Sequence, residues 1–469
     1  MVQVRLADAG DLHMTWTWTS GARGFGTGHA PAREVDEAVA ALTAALPGGG
    51  GSGEGGGGGG AGNGSAAGMR RAFESGALAT YEDERRLARV LSEALWPPGL
   101  TDQIHQVSAH HGRRPLIRLQ PSPRVAQVPW ELLSLDVPGT TTDTRLLDLA
   151  DIATTTPASL RAPTRPAPRA PDSPTTHSTP STPDSPNSPD SPDSPDSPNS
   201  PDSPDSPDSP DSPTVLILDP RIPGFRADSP LGSVLGPPGS DPALLSLIER
   251  HMKAGPTAPA VTTPTEALRR KDLDRDWLSE VLRKGARRLL YVGHVSGAPL
   301  EAGQSEDVTL HLTCGPETTG LTPPIRTHRP LSAKDLLLGT LPLQPDGVPG
   351  AHLWPAPPRV ALIGCESGGD LRFTESFGLA TAMIHNGAEL VTATRWVLPT
   401  SFAFHSLAGT PDRIRPLTEA VIAVDEAHEH PDPINTFTRW QRARLNAWRT
   451  KHDPENTPLL WAALTNMIN

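Results

Sequence analysis

Apolar and polar residues alternate in short stretches of the first part of the chain. In Val2 to Leu6 and in Leu12 to Trp18 every second side chain is mostly apolar, a pattern typical of strands with one buried face. Apolar residues at helical spacing predict a helix over Tyr81 to Leu95, ended by Pro97. A further strand is predicted at Leu116 to Leu119. These elements together predict a small α+β module.

The pattern changes after residue 213, where continuous apolar runs alternate with helical stretches. Strands are predicted at Thr214–Leu218, Arg288–His294, Arg359–Cys365 and Ala388–Thr394. Helices are predicted at Asp241–Met252, Asp276–Lys284, Ser332–Leu338, Glu375–His385, Leu417–Asp425 and Phe437–Trp448. Strands that are apolar on both sides and alternate with helices form mostly parallel sheets covered on both faces. We therefore expect a three-layer α/β sandwich.

Two segments of biased composition divide the chain. Residues 48–64 are nearly all glycine, which leaves almost no side chains to bury and predicts a loop. Residues 155–213 are mostly Pro, Ser, Thr and Asp and end in Ser-Pro-Asp triplets, which predicts an extended, disordered linker. A docking motif or a phosphorylated Ser-Pro array is the alternative. We expect an N-terminal ancillary module at 1–154, the linker, and the α/β domain at 214–469.

Composition narrows the possible functions. The 469 residues carry a formal net charge of -12, and nine Asp lie in residues 171–213, so the remainder is near neutral. Bulk charge thus gives no sign of a nucleic-acid partner. No apolar run reaches the roughly 18 residues of a membrane span, and the start of the chain lacks a secretion signal. We expect a cytoplasmic protein with no membrane partner, whose two cysteines are reduced.

Two predicted strands end in a reactive side chain. His294 and Cys365 each follow a glycine at the end of an apolar run. Chemistry in parallel sheets gathers at the carboxyl ends of the strands, and an imidazole beside a thiol can generate a thiolate nucleophile. Either residue alone is usually structural. Their occurrence at equivalent strand ends favours a catalytic pair. Nothing in the sequence indicates a cofactor.

In its motifs the sequence resembles the CHAT domain family of the caspase-like clan of cysteine peptidases, from about Leu116 to the C-terminus. The matching segments, in order, are Val128-Pro-Trp-Glu-Leu-Leu133, Val215-Leu-Ile-Leu-Asp-Pro220, Leu290-Tyr-Val-Gly-His294, Leu331-Ser-Ala333, Leu362-Ile-Gly-Cys-Glu-Ser-Gly-Gly369, Gly378-Leu-Ala380, Asn386-Gly-Ala388, Thr394-Arg-Trp396 and Pro458-Leu-Leu-Trp-Ala-Ala463. The resemblance implies a caspase-like fold and a role in regulated proteolysis. The excess of Arg over Lys, five Lys among 41 basic residues, suggests a bacterial origin.

The resemblance also implies roles for individual residues. Cys365 would be the nucleophile and His294 its proton partner, with the oxyanion held by the backbone N–H groups of Val295 and Cys365. The family typically has glycine where this chain has Val295, whose branched side chain restricts the backbone and is expected to crowd the cleft. A third catalytic residue is not evident from the sequence, although a Cys/His dyad can act without one.

Charged residues near these strand ends leave the specificity open. Arg221 and Arg226 follow the first apolar run and could receive an acidic side chain of a substrate. Glu366 and Asp370, beside the candidate nucleophile, could receive a basic one. Solvated loop charges are the alternative for all four, so the sequence alone does not choose between them.

The sequence therefore favours a cysteine endopeptidase that cleaves a protein substrate and is activated by a protein partner. A catalytically silent CHAT-type scaffold or sensor is the alternative. Nucleotide binding is disfavoured because the turn from Asp219 to Gly224 contains prolines and no glycine-rich phosphate cradle.

Several other residues are expected to be structural. The histidines without clear metal-ligand spacing are expected at the surface; they are His110, His111, His428 and His430. Cys314 is expected to be structural because it does not end an apolar strand. The tryptophans expected to fill the core are Trp130, Trp396 and Trp461.

Overall fold

The computed structural model describes residues 1–19, 24–48, 62–137, 143–156, 212–226, 232–298, 304–365, 367 and 378–469. The strands are β1 (Val2–Ala9), β2 (Asp11–Trp18), β3 (Phe25–Ala30), β4 (Leu116–Gln120), β5 (Asp151–Thr155), β6 (Thr214–Leu218), β7 (Thr257–Ala258), β8 (Arg288–Val292), β9 (Val295–Ser296), β10 (Thr309–Leu310), β11 (Leu331–Ser332), β12 (Arg359–Ile363), β13 (Leu390–Thr394) and β14 (Leu464–Ile468). The helices are α1 (Ala32–Ala45), α2 (Gly62–Glu74), α3 (Tyr81–Leu95), α4 (Pro98–His111), α5 (Leu146–Leu149), α6 (Pro242–Ala254), α7 (Arg275–Arg283), α8 (Ala333–Leu338), α9 (Gly350–Leu353), α10 (Leu379–His385), α11 (Ser401–Ala408), α12 (Pro416–Glu429), α13 (Pro433–Lys451) and α14 (Pro458–Trp461).

One large, mostly parallel sheet organises the described residues. Its eleven strands run in the order β3-β2-β1-β4-β5-β14-β13-β12-β8-β6-β7. The strands β6, β8, β12 and β13 are mutually parallel neighbours, while β14 is antiparallel to β13 and parallel to β5. A small antiparallel sheet of β9, β10 and β11 lies apart from it. The expected mostly parallel sheet is therefore present.

Both faces of the central strands are buried, as their continuous apolar sequences require. On β8, Leu290 and Val292 belong to one apolar cluster, whereas Leu289 and Tyr291 belong to the other. Successive strand residues point to opposite faces of a sheet, so each cluster fills one side. Helices α6, α12 and α13 supply residues to the first cluster, and α7, α8 and α10 to the second. The result is the expected three-layer α/β sandwich.

The strands before and after residues 157–211 belong to the same sheet. Strand β5 pairs with β14 through Met467 and Ile468, so the first segment adds strands to the large sheet. Thr155 is the last residue of β5 and is buried, which shows that the strand extends past the expected start of the linker. The rest of that linker at 157–211 lies outside the described residues, as do residues 49–61 of the glycine-rich segment. Helix α2 already begins at Gly62.

Local sequence signals explain where several elements begin. The carboxylate of Asp241 accepts hydrogen bonds from the N–H groups of Ala243 and Leu244, and Pro242 occupies the first turn of α6, the usual preference for both residue types. Thr80 caps α3 in the same way.

Among the helices of the described residues, none combines the length and apolar character needed to cross a lipid bilayer.

Candidate active site

Three neighbouring parallel strands end side by side at one edge of the large sheet. Strand β8 pairs with β6 on one side and with β12 on the other, with Val292 opposite both Leu218 and Ile363. Asp219 follows β6 and His294 lies two residues after β8. Cys365 lies two residues after β12. Adjacent strands are about 5 Å apart, so this register brings Asp219, His294 and Cys365 to the same edge, as the strand-end argument predicts for the last two.

The glycines before His294 and Cys365 allow the two strand ends to approach each other. The N–H of Gly293 donates to the carbonyl oxygen of Ile363 at 3.1 Å. A Cβ atom on Gly364 would lie 2.8 Å from the Gly293 oxygen and 2.8 Å from Cγ2 of Val295, closer than real side chains come. A Cβ on Gly293 would meet the Tyr291 hydroxyl at 2.7 Å. Glycine is therefore required at both positions by close packing.

His294 is oriented by one backbone contact. Its ring is hydrogen-bonded to the backbone of Gly232, while its buried Nε2 has no hydrogen-bond partner among the described residues. Burial lowers the pKa of His294 below its ordinary value, and the nearby Asp219 carboxylate and the bond to Gly232 oppose that shift. The imidazole is thus mostly neutral near pH 7, with an Nε2 lone pair available to accept a proton.

Asp219 is the site residue that the sequence analysis missed in this role. Its carboxylate is 1% exposed and accepts hydrogen bonds from the Ser233 hydroxyl at 2.6 Å and the Val234 N–H at 3.2 Å. It also lies 3.3 Å from Nη1 of Arg269, which donates to the Gly232 oxygen at 2.6 Å. Asp219 therefore organises the loop whose carbonyl orients His294. The same strand-end argument could have found it, since it directly follows β6.

The turn that carries Cys365 is anchored to the next strand. Cys365 is half-buried, and two residues later Ser367 is fully buried. The Ser367 hydroxyl donates to the Leu362 oxygen at 2.5 Å, and its oxygen accepts the N–H of Thr394 at 3.0 Å. The Thr394 hydroxyl in turn binds the oxygen of Gly364. These bonds fix the backbone on both sides of the thiol.

The backbone N–H of Val295 points away from its neighbour β10. The N–H of His311 donates to the oxygen of His294 at 3.1 Å, so residues 294 and 311 form a hydrogen-bonded pair. Pairs alternate along an antiparallel ladder, and Val295 and Leu310 therefore form a non-hydrogen-bonded pair. The Val295 side chain is only 6% exposed and packs in the apolar cluster below the site, where the absence of a Cβ on Gly364 makes room for it.

The candidate specificity residues are only partly within the described part of the chain. Arg221 and Arg226 are both exposed on the segment after β6. Glu366 and Asp370 lie outside the described residues.

The residues expected to be structural mostly behave so. Trp130, Trp396 and Trp461 are each 1% exposed, which confirms that they fill the core. Cys314 is also 1% exposed, as expected for a structural cysteine. The surface prediction is wrong for His428, which is 2% exposed and lies 2.7 Å from the Thr392 hydroxyl. Its helix α12 packs onto the sheet and carries the imidazole inward.

One set of His, Asp and Glu side chains among the described residues lies close enough together to hold a cation. It consists of His251, Asp425 and Glu429. Arg288 forms ion pairs with both carboxylates, and Arg250 lies 2.5 Å from Asp425. The negative charge is therefore already balanced by guanidinium groups, and the set is better described as an ion-pair network around the buried Asp425.

Fold and site together define an α/β sandwich of caspase-like type with an imidazole and a thiol at adjacent strand ends. The family model of the CHAT domain matches residues 85–405. The chain therefore belongs to the CHAT domain family, as the motifs from Trp130 to Trp396 indicate. No curated protein is significantly similar to the chain.

Proposed function

We propose that the protein is a cysteine endopeptidase, with Cys365 as the nucleophile and His294 as the general acid and base. The observation that carries the proposal is the register of β8 and β12, which places an imidazole and a thiol at equivalent ends of adjacent strands. Nε2 of His294 is buried and has no hydrogen-bond partner among the described residues, which supports its assignment as a proton acceptor. The chemistry requires the imidazole to come within hydrogen-bond distance of the thiol when the substrate binds.

The proposed reaction follows from these positions. His294 Nε2 takes the proton of Cys365 Sγ, and the thiolate attacks the carbonyl carbon of a peptide bond. The N–H groups of Val295 and Cys365 stabilise the resulting oxyanion. The imidazolium then protonates the leaving amine, and water hydrolyses the thioester. Asp219 and the backbone of Gly232 favour the imidazolium that forms when His294 takes the proton.

The proposed substrate is a protein, and the proposed regulator is a second protein. The half-buried position of Cys365 suits a substrate that enters as an extended segment along the edge of the sheet. Regulated proteolysis and activation by a partner are proposed from the family resemblance, whereas a cytoplasmic location is proposed from the apolar pattern and cysteine content of the sequence. A silent scaffold is the alternative outcome of the test below.

The test measures how fast each cysteine is alkylated. The full chain is treated with limiting iodoacetamide, and modification of Cys365 and Cys314 is followed by mass spectrometry. We expect Cys365 to react at least tenfold faster than Cys314, because burial raises the pKa of the Cys314 thiol. His294→Gln should slow Cys365 by tenfold or more, whereas the exposed-site control His430→Gln should leave it unchanged.

Peptidyl acyloxymethyl ketones then separate the two specificities. These probes react with peptidase cysteines, and a matched pair carries either an acidic or a basic residue next to the reactive group. Labelling of Cys365 by one probe and its loss in His294→Gln would support the peptidase. Equal iodoacetamide rates with and without His294, together with no probe labelling, would instead leave the silent scaffold.

A further inference from the structure

A second chain of hydrogen-bonded side chains lies beside the candidate active site. The Ser296 hydroxyl oxygen is 2.8 Å from Nε2 of His311. Nδ1 of His311 is 3.0 Å from Nε2 of His328, and Nδ1 of His328 is 3.0 Å from the carbonyl oxygen of Cys314. A hydroxyl, a first imidazole and a second imidazole are thus connected in series. The proposed cysteine mechanism uses none of them.

The carbonyl at the end of the series determines the position of every proton. A carbonyl can only accept, so Nδ1 of His328 carries its proton and, in the neutral ring, Nε2 is a lone-pair acceptor. His311 must then donate from Nδ1, which leaves its Nε2 as an acceptor. Ser296 therefore donates its hydroxyl proton to His311. Burial lowers the pKa of both imidazoles, which supports the neutral state of both rings.

This arrangement matches the geometry of an activated nucleophile. A catalytic hydroxyl needs a base within about 2.6–3.2 Å and a third group that orients the base. Here His311 is the base and His328 orients it, and both are 0% exposed. Ser296 itself is half-buried. The base is thus shielded from water while the hydroxyl is partly accessible.

Ser296 also faces the same side as the candidate active site. Residues 294 and 311 are paired across β9 and β10, and side chains two residues apart on a strand point to the same face. His294, Ser296 and His311 therefore lie on one face of the small sheet. His294 is also one of the groups that lower the pKa of His311, as expected for neighbouring rings.

We propose that Ser296 is a second nucleophile of this protein, activated by His311 and His328, and that it accepts acyl groups from activated esters. The Ser296 oxygen attacks the ester carbonyl carbon while its proton passes to Nε2 of His311. The bond to the leaving oxygen breaks, and that oxygen takes the proton from His311. Water then hydrolyses the acyl-serine by the same route, which restores the hydroxyl and releases the acid.

The surroundings of His311 indicate which esters would react. Its hydrogen-bond partners are a hydroxyl and a second imidazole instead of a carboxylate, so the imidazolium formed during attack receives no stabilising negative charge from them. A weak base of this kind takes up the serine proton poorly, so only an electrophile with a good leaving group reacts. Phenyl esters and fluorophosphonates meet that requirement, whereas peptide bonds do not.

The experiment uses the full chain with Cys365→Ala, so that the proposed peptidase nucleophile is absent and the two proposals are tested separately. A fluorophosphonate probe is added, and the modified residue is identified by mass spectrometry. We expect labelling at Ser296 and its loss in Ser296→Ala. His311→Gln should reduce the labelling rate at least tenfold. Ser279→Ala is the matched control, because this half-buried serine donates to the Leu353 carbonyl and has no imidazole partner there.

A second measurement distinguishes the loss of a nucleophile from misfolding of the variant. With p-nitrophenyl acetate, the Cys365→Ala protein should release a burst of nitrophenol of about one equivalent per chain, and Ser296→Ala should abolish it while keeping the same thermal unfolding temperature. The proposal is overturned if Ser296 is not labelled and no burst occurs, or if His311→Gln is labelled as fast as its parent. Either result would make the series a structural hydrogen-bond network.

Discussion

At the residue scale, the site depends on where side chains are absent as much as on where they are present. Gly293 and Gly364 leave the space that Tyr291 and Val295 occupy, and the backbone before Cys365 therefore lies close to the backbone before His294. Val295 stands where glycine is typical of the family. Its side chain packs in the apolar cluster and therefore does not cover the backbone N–H of the same residue.

Replacing Gly364 with alanine should therefore damage the site directly. The new Cβ would push against the Gly293 oxygen and the Val295 side chain, and overpacking of this kind costs about 1–3 kcal/mol. We expect a lower urea midpoint and at least tenfold slower alkylation of Cys365. Gly99→Ala is the control, since Gly99 lies in α4 with no neighbouring atom within 4 Å of its added Cβ. An unchanged alkylation rate in Gly364→Ala would contradict the close-approach argument.

The sequence predicts the positions of the candidate pair better than it predicts the residues that support them. His294 and Cys365 end apolar runs, and sheet geometry alone brings such residues together. Asp219 ends a run as well, but its contribution passes through the loop at Gly232, which becomes its neighbour only in the folded chain. The Ser296, His311 and His328 series has the same origin, because its members come from separate segments without a shared sequence pattern.

At the scale of secondary structure elements, buried polar contacts join the first part of the chain to the central sheet. Arg395, directly after β13, binds both carboxylate oxygens of Glu131 at 2.9 Å. The same guanidinium donates to the Ala462 oxygen and the Thr465 hydroxyl at 2.9 Å. The Pro-Trp-Glu segment is thereby fixed to β13 and β14. Both charged side chains are 3% exposed.

Breaking this pair should destabilise the fold strongly. Removing one member of a buried ion pair leaves the other charge uncompensated and costs about 3–5 kcal/mol. We expect losses of this size for Glu131→Gln and for Arg395→Met in urea unfolding, and a loss for the double variant that is about 1–3 kcal/mol smaller than the sum. The exposed pair Arg33 and Glu37 is the control and should show no measurable coupling. Additive losses at Glu131 and Arg395 would contradict the pairing.

Polar burial also explains an element that the apolar pattern does not reveal. Strand β14 was not predicted, because its sequence Leu464-Thr-Asn-Met-Ile is not an apolar run. Thr465 is satisfied by Arg395, and Asn466 accepts a hydrogen bond from the Thr392 hydroxyl at 2.7 Å. Their polar groups are thus paired inside the sheet. A strand whose polar side chains are hydrogen-bonded to residues distant in the sequence cannot be predicted from the hydrophobic pattern alone.

At the scale of the whole molecule, the sheet joins segments that composition separates. The low-complexity residues 155–213 suggest two independent units, yet strands from both sides lie in one sheet and one apolar cluster contains residues from both. The family match at 85–405 also crosses this segment. Strand order depends on long-range pairing, such as β5 with β14, and no local pattern in the sequence encodes it.

Buried neutral histidines should make the stability of the whole molecule fall at acidic pH. Burial lowers the pKa of His251 to about 4, although Asp425 and Glu429 lie beside it, because Arg288 and Arg250 oppose its protonation. A histidine whose pKa is lower in the folded chain than its unfolded value near 6.5 binds its proton more readily in the unfolded chain. The stability that it contributes is therefore present above pH 6.5 and is lost as the pH falls towards 4. His251 alone should account for about 2 kcal/mol of the decrease in unfolding free energy between pH 7 and pH 5. Urea unfolding at both pH values should show a smaller decrease for His251→Gln and an unchanged one for the exposed control His110→Gln; equal decreases in the two variants would refute this role of His251.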